Sequence, residues 1–358
     1  MKKHNFSAGP AILPAKVIRQ ASEAALEFNG MGLSLLEISH RSKEFVAVLD
    51  EAVALVRELL GLNDDWAVLF LTGGASSQFF MTAMNLLDEG DKAAYVDTGA
   101  WSSKAIKEAR LFGRVEVIAS SKDRNYSYIP KGFEVPADAR YLHLTSNNTI
   151  FGTQYQNFPD SPVPIVCDMS SDIFSRPIDI EPFGLIYAGA QKNLGPAGTT
   201  LVLVRKDLLG KVQRTLPTML DYQTHIAKNS SFNTPPVFPI YVCMLTLRWL
   251  KELGGLPAIA QHNEQKARLL YEEIDQNPCF RGTAEREDRS RMNATFVLAE
   301  GYESLEGKFL DSCRDAGIVG IKGHRSVGGF RASIYNAMPL ESVQVLVQVM
   351  QEFAQVLA

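Results

Sequence analysis

The sequence lacks long apolar segments and a marked excess of charge of either sign. It contains no run of about 18 apolar residues, the length that spans a membrane. Its N-terminus, "MKKHNFSAGP", has two lysines but no apolar segment of a signal peptide behind them. With 36 Lys and Arg against 40 Asp and Glu, a positive site has to be local and suits a small anion better than nucleic acid. We therefore expect a cytoplasmic protein with neither a membrane nor a nucleic acid as partner.

Cysteine is also scarce, and its spacing matches no common metal site. The four cysteines are Cys167, Cys243, Cys279 and Cys313. They form no CxxC pair, and no histidine lies near them at zinc-ligand spacing. A thiol nucleophile would need a neighbouring base and a positive environment, and no local motif supplies either. We expect buried free thiols and no metal site.

The chain does contain short apolar runs that alternate with amphipathic helices. Runs such as "WAVLFL", "KAAYVD" and "PIVCD" alternate with helical patterns such as "SSQFFMTAMNLL" to about residue 250. This alternation predicts an α/β protein with a mostly parallel sheet between helices. A long amphipathic helix and the strands "MNATFVLA" and "GGFRASIYN" then predict a smaller α+β domain. We expect a large domain over residues 15–256 and a small C-terminal domain over 257–358, joined by the N-terminal segment 1–14.

Glycines and polar residues follow several predicted strands, at the sheet edge where open parallel sheets bind ligands. In "FLTGGASSQFF", Gly73 and Gly74 permit a tight turn, and a helix beginning near Ser76 points its free N–H groups at that edge, which suits a phosphate. A plain glycine turn with a serine N-cap is the alternative interpretation. Neither GxGxxG nor GxxxxGK[ST] occurs, so neither a dinucleotide nor a nucleoside triphosphate is indicated.

Three other predicted strands each end at or near one notable residue: an acid, a lysine and an aromatic residue, respectively. Asp168 ends the strand of "PIVCD", Lys192 follows "LIYAGAQ", and Trp101 follows "YVDTGA". Because a lone buried ammonium is costly, a lysine in such a place deprotonates, pairs with an acid or forms a covalent link. A Schiff-base lysine, an aspartate that keeps a pyridinium nitrogen protonated and a stacked aromatic together fit pyridoxal 5'-phosphate. Each residue alone also has a structural interpretation, as an ion pair, a cap or part of the core.

Longer motifs resemble one known family over essentially the whole chain. The stretches "NFSAGPAILP", "SHRSKEF", "YAGAQKNLGPAG", "FNTPP" and "KGHRSVGGFRASIYNAMPLE" are similar to those of the phosphoserine aminotransferase family, a class V branch of the fold type I pyridoxal phosphate enzymes. The resemblance implies ping-pong transamination of 3-phosphohydroxypyruvate with glutamate in serine biosynthesis. It also implies a homodimer with composite active sites. The phosphorylated keto acid related to 4-phosphohydroxythreonine, used in making pyridoxal phosphate, stays open as a further substrate.

Carried over by position, the resemblance implies contacts to the cofactor at Ala75, Ser76, Trp101, Thr149, Asp168, Gln191 and Lys192 and, from the partner subunit, at Asn233 and Thr234. Lys192 would form the Schiff base, Asp168 would face the pyridine nitrogen and Trp101 would stack on the ring. These three are the predicted catalytic residues. Some family members have "GGGRGQ" where this chain has "GGASSQ", so Ser76 stands in place of an arginine near the cofactor phosphate.

For the substrate, the resemblance implies binding at His40, Arg41, His324, Arg325 and Arg331. Arg331 would bind the α-carboxylate, because a planar carboxylate suits one bidentate arginine. The two His-Arg pairs would bind the distal anion, because a phosphomonoester has three acceptor oxygens and nearly two charges. Two solvated surface pairs are the alternative. An aminotransferase for an unphosphorylated keto acid and a non-catalytic protein that binds a phosphorylated metabolite also stay open.

Overall fold

The computed structural model describes residues 3–325 and 327–357. The α-helices in these ranges are α1 Ala15–Leu26, α2 Lys43–Leu60, α3 Gly74–Leu86, α4 Ala100–Ala109, α5 Tyr222–Ala227, α6 Val237–Glu252, α7 Gly255–Gln276, α8 Glu306–Asp315 and α9 Leu340–Leu357. The strands are β1 His4–Asn5, β2 Trp66–Leu71, β3 Lys92–Asp97, β4 Arg114–Ser120, β5 Leu142–Thr145, β6 Asn147–Asn148, β7 Thr153–Gln154, β8 Ile165–Asp168, β9 Phe183–Gly189, β10 Thr200–Arg205, β11 Phe280–Gly282, β12 Asn293–Leu298, β13 Ile318–Val319 and β14 Phe330–Ser333.

A large mixed sheet forms the centre of the fold. Within the described residues it has seven strands in the order β2-β10-β9-β8-β5-β3-β4. Strand β10 is antiparallel to both of its neighbours, and the other pairs are parallel. Strands β2, β5, β8 and β9 are buried along their whole length, as expected for strands covered on both faces. The predicted mostly parallel sheet is confirmed.

Two apolar clusters cover the opposite faces of this sheet. Val68 and Phe70 of β2 belong to one cluster, and the alternating residues Leu69 and Leu71 belong to the other. This division follows from the two-residue period of a strand, which sends successive side chains to opposite faces. The four cysteines are buried and free, as the sequence predicts. No helix among the described residues is both long and apolar enough to cross a membrane.

The C-terminal part packs around a separate apolar cluster. It contains the antiparallel strands β11, β12 and β14, with helices α7, α8 and α9 contributing to the same cluster. The N-terminal segment joins it, because β1 pairs with β13 and the side chain of Phe6 lies in its core. These clusters support two packed units. The division between residues 256 and 257 stays a prediction, and α7 runs across that point from Gly255.

Two local features differ from simple expectation. Helix α3 begins at Gly74 rather than near Ser76, since Gly73 already turns the chain with a φ of 95°. The connection from β8 to β9, residues 169–182, consists of turns and irregular chain and contains no α-helix. Pro177 and Pro182 lack the N–H that a helix needs. The Ser170 N–H donates to Oδ1 of Asp168, and the Ser171 hydroxyl donates to the carbonyl oxygen of Asn147.

Candidate active site

The carboxyl ends of neighbouring parallel strands bring the central residues of the site together. Asp168 ends β8, Lys192 follows β9, and Thr149 lies in the turn between β6 and β7. The Nζ of Lys192 lies 2.8 Å from Oγ1 of Thr149. The same Nζ lies 5.7 Å from the ring centroid of Trp101, in the first turn of α4. The structure therefore groups the predicted lysine, aspartate, threonine and tryptophan at one edge of the sheet.

Burial and neighbouring charges shift the titration of the lysine and the acid in opposite directions. Burial lowers the pKa of Lys192 to about 8, and Arg331 adds to this, whereas Asp168 and Asp172 favour the ammonium form. Burial raises the pKa of Asp168 above its usual value, while the Ser170 N–H, 2.9 Å from Oδ1, and Lys192 favour the carboxylate. A lysine that can lose its proton near neutral pH thus lies beside a buried acid.

Positively charged side chains lie near Lys192 and Asp168. Strand β14 carries Arg331, whose Nε is buried and has no hydrogen-bond partner within the described part of the chain. Burial lowers the pKa of His324, and the positive charges of Arg331, Arg325 and Lys104 lower it further, so these three charges act on the place that His324 occupies. The Nζ of Lys104 lies 4.5 Å from the centroid of the Trp101 ring. Such a region suits an anionic substrate.

His40 and Arg41 lie in the turn before α2. His40 is buried, and its Nε2 has no hydrogen-bond partner among the residues that the structure describes. Arg41 is exposed. Their place in the distal anion site stays a prediction.

The first turn of α3 has the geometry of a phosphate site. Ala75 and Ser76 lie in this turn, and the first N–H groups of a helix have no partner inside the helix. Gly73 is required at the turn, since a Cβ there would overlap the Ser77 hydroxyl. The side chain of Gln191 folds back over β9, and a Cβ at Gly189 would lie 2.7 Å from its Oε1. The contacts of these residues with a cofactor phosphate stay predictions.

Asn233 and Thr234 lie in an exposed loop between α5 and α6. Asn233 lines a small cavity of 140 Å³ together with Gly73 and Ser77 of the same chain. The loop thus begins next to the turn that precedes α3. Whether its residues reach the site of a partner subunit stays a prediction.

Lys104, Tyr335 and Asp172 were not identified from the sequence as residues near the site. The Tyr335 hydroxyl donates to the carbonyl oxygen of Ala8 at 2.6 Å. Burial raises the pKa of Tyr335 to about 12, whereas hydrogen bonding with Asn293 and the positive charge of Arg331 act to lower it. Its only sequence signal is its place in "RASIYNA", four residues after Arg331. Asp172 follows Asp168 by four residues, which is a signal that a second acid is near the first.

The donor set fits pyridoxal phosphate. An amine with a lowered pKa can form a covalent link to an aldehyde, and a buried acid can face a ring nitrogen. The indole Nε1 of Trp101 is buried without a hydrogen-bond partner in the described structure, which suits a group bound beside it. The first turn of α3 supplies N–H groups for a phosphate. Lys192, Asp168, Trp101 and Thr149 would hold the ring.

The chain is similar to known aminotransferases over almost its whole length. The family model described as aminotransferase class-V matches residues 3–346. The phosphoserine aminotransferase of Flavobacterium psychrophilum is 62% identical over 354 residues, which cover 98% of this chain and 99% of that protein. A solved phosphoserine aminotransferase from Bacillus circulans subsp. alkalophilus has a TM-score of 0.96 and 50% identity, covering 100% of this chain and 99% of that chain.

A PLP-bound phosphoserine aminotransferase from Trichomonas vaginalis has a TM-score of 0.93 and 39% identity, covering 98% of this chain and 100% of that chain. These similarities confirm the expected fold type I α/β architecture.

Proposed function

The chain belongs to the class-V aminotransferase family, and we propose that it transfers the amino group of glutamate to 3-phosphohydroxypyruvate with pyridoxal phosphate as cofactor. The products are O-phosphoserine and 2-oxoglutarate, and the reaction belongs to serine biosynthesis. One observation carries the proposal: Lys192 Nζ contacts Thr149 Oγ1 at 2.8 Å beside the buried Asp168. The similarity to phosphoserine aminotransferases over the full chain supports the choice of substrate.

Lys192 and Asp168 control the protons of the reaction. Bound pyridoxal phosphate supplies a ring that accepts electrons and so makes the α-proton of the substrate acidic. Because its pKa is lowered to about 8, Lys192 can accept this proton as a base and return it as an acid near neutral pH. Asp168 would face the ring nitrogen and hold a proton there, and the Ser170 N–H favours the carboxylate form of the aspartate against the burial that raises its pKa.

Arg331 orients the substrate through its α-carboxylate. Its guanidinium is planar and can donate two parallel hydrogen bonds to a carboxylate, and its buried Nε has no partner among the described protein atoms. The Trp101 ring centroid lies 5.7 Å from Nζ of Lys192, so the ring would cover one side of a substrate bound there and exclude water from that side. The orientation of the substrate by Arg331 places the α-proton within reach of Lys192.

The distal anion binds beside His324, in the positive region to which Arg325 and Lys104 contribute. His40 and Arg41 complete this pocket in the proposal, and the buried, unpartnered Nε2 of His40 in the described structure supports their role. The pocket accepts the phosphate of phosphohydroxypyruvate in one half-reaction and the γ-carboxylate of glutamate in the other. Several cationic donors are needed because a phosphate has three acceptor oxygens.

The proposed active unit is a cytoplasmic homodimer with composite sites. Asn233 and Thr234 would contact the cofactor phosphate of the opposite site. The neighbouring Phe232 is 39% exposed, and an exposed aromatic side chain between polar residues is typical of a subunit interface. A two-fold axis would place each loop at the site of the other subunit.

A paired assay tests the proposed reaction. The purified protein with pyridoxal phosphate is supplied with glutamate and either 3-phosphohydroxypyruvate or hydroxypyruvate, and 2-oxoglutarate is measured. We expect a clear preference for the phosphorylated substrate and a visible absorbance band that borohydride bleaches. Lys192→Ala, the control variant, should lose that band and most of the activity. Equal rates with both substrates would favour an aminotransferase for unphosphorylated keto acids, and absence of both band and turnover would favour a binding protein.

A further inference from the structure

The turn that follows β8 carries a second buried carboxylate behind the active site. Asp172 is 7% exposed and Ser146 is fully buried. The Ser146 hydroxyl forms a short hydrogen bond with Oδ1 of Asp172. The N–H of Ser146 donates to the carbonyl oxygen of Asp168 at 3.0 Å, and its Oγ lies 3.0 Å from the same oxygen. One serine thus joins Asp172 to the backbone of the acid that would face the cofactor.

The second oxygen of Asp172 faces the strands that carry the substrate arginine. Its Oδ2 accepts from Nε2 of Gln154 at 3.0 Å, and Gln154 Oε1 accepts from the N–H of Arg291 at 2.9 Å. Arg291 leads into β12, where Thr295 pairs with Arg331 of β14. Asp172 therefore lies between the strand end of Asp168 and the strand pair that supports Arg331.

The charge of Asp172 has no direct ion pair among the described residues. Its hydrogen bonds come from the neutral side chains of Ser146 and Gln154. The guanidinium of Arg176 attracts it from farther away but donates to the carbonyl oxygens of Tyr155 and Gln156. A buried carboxylate without a direct countercharge costs free energy, so its retention calls for a function.

We propose that Asp172 is a positioning residue of the active site, which fixes Ser146 against the backbone of Asp168 and stabilises positive charge on Lys192. This inference rests on the proposed roles of Asp168 and Lys192. The charged and titratable groups that face Asp172 are Arg176, Asp168, Cys167 and Lys192.

The sign of the expected effect follows from these charges. Asp172 and Asp168 favour the protonated nitrogen of Lys192, and Arg331 opposes them. Removing the charge of Asp172 should therefore let Lys192 lose its proton at lower pH. Burial raises the pKa of Asp172, and the hydrogen bonds from Ser146 and Gln154 favour its carboxylate form.

The test is a pH titration of the visible absorbance of the protein loaded with pyridoxal phosphate, together with kcat and KM for phosphoserine. We expect Asp172→Asn, which keeps the size of the side chain, to move the midpoint to lower pH, because a negative charge that favours the protonated nitrogen is removed. Asp172→Glu keeps the charge and should restore the midpoint toward the wild-type value. We expect kcat to fall more than KM changes in Asp172→Asn, because the substrate arginine is untouched.

Asp288→Asn is the matched control. Asp288 is also buried and accepts from the Ile129 N–H at 2.9 Å, but it does not affect the pKa of Lys192. A wild-type midpoint in Asp172→Asn, or the same shift in Asp288→Asn, would overturn the inference. If Asp172→Asn does not fold, Ser146→Ala replaces it and should lower kcat about tenfold, because the link between Asp172 and the backbone of Asp168 is removed. A wild-type kcat in Ser146→Ala would overturn the inference. A wild-type protein without the visible band would instead refute the proposed function.

Discussion

The buried Lys266 should make the free energy of unfolding depend on pH, and this dependence can be measured. It lies in α7 and is 2% exposed, and its Nζ donates to the carbonyl oxygens of Ile334 at 2.9 Å and Tyr335 at 2.6 Å. No carboxylate forms an ion pair with it in the described part of the chain. Burial lowers the pKa of Lys266 from 10.5 to about 7. Lys266→Met removes this titrating group and keeps a side chain of similar length.

The sign of the effect follows from the lowered pKa. Between pH 7 and 10.5 the unfolded chain keeps the proton on Lys266 and the folded chain loses it. The free energy of unfolding should therefore rise with pH in this window, by up to about 1.4 kcal/mol for each pH unit from this one group. The contribution is complete above pH 10.5 and is lost progressively as the pH falls from 10.5 to 7.

Urea unfolding of the cofactor-loaded wild type and Lys266→Met at pH 7.5 and 9.5, at equal protein concentration, measures this contribution. The stability difference, wild type minus variant, should increase by roughly 2–3 kcal/mol between these two pH values. Lys192 also titrates in this range but is present in both proteins, so its effect cancels. Lys308→Met, at an exposed position of α8, is the control and should leave the pH dependence unchanged. Parallel stability curves for wild type and Lys266→Met would refute the reasoning.

Two further predictions concern the substrate and the subunits. Arg331→Ala should lower kcat/KM for every amino-acid substrate by on the order of 100-fold, whereas Arg41→Ala should impair phosphoserine far more than alanine. Steady-state kinetics decide this, and equal losses for the two substrates in Arg41→Ala would contradict the division of roles. Mixing Lys192→Ala chains with chains changed to alanine at both Asn233 and Thr234 should restore up to about half of the normal activity per heterodimer. Heterodimers confirmed by mass but without activity would exclude shared sites.

The local sequence determined the main elements and the centre of the site. Apolar runs alternating with helical patterns predicted the strands of the large sheet, because periodicity and burial are properties of neighbouring residues. Asp168 and Lys192 could be placed at strand ends for the same reason. Since the ends of parallel strands share one edge, the two residues could be expected to meet there. The longer motifs then identified the family that the chain resembles.

The tertiary structure decided which distant residues support that centre. The Tyr335 hydroxyl bonds to Ala8, 327 positions away in the chain, and no local pattern indicates such a contact. The sequence pattern of α7 would also allow Lys266 to face solvent. In the structure Lys266 is buried, and its Nζ donates to the carbonyl oxygen of Ile334, the residue after β14. The charge of Asp172 acts on Lys192 only because β8 and β9 are neighbours in the sheet.

The antiparallel direction of β10 and the effect of Lys104 on His324 were also decided by the tertiary structure and not by local sequence. Sequence pattern records the period and the ends of each element, whereas the distance between two side chains, and hence their hydrogen bonds and pKa values, depends on how the elements pack.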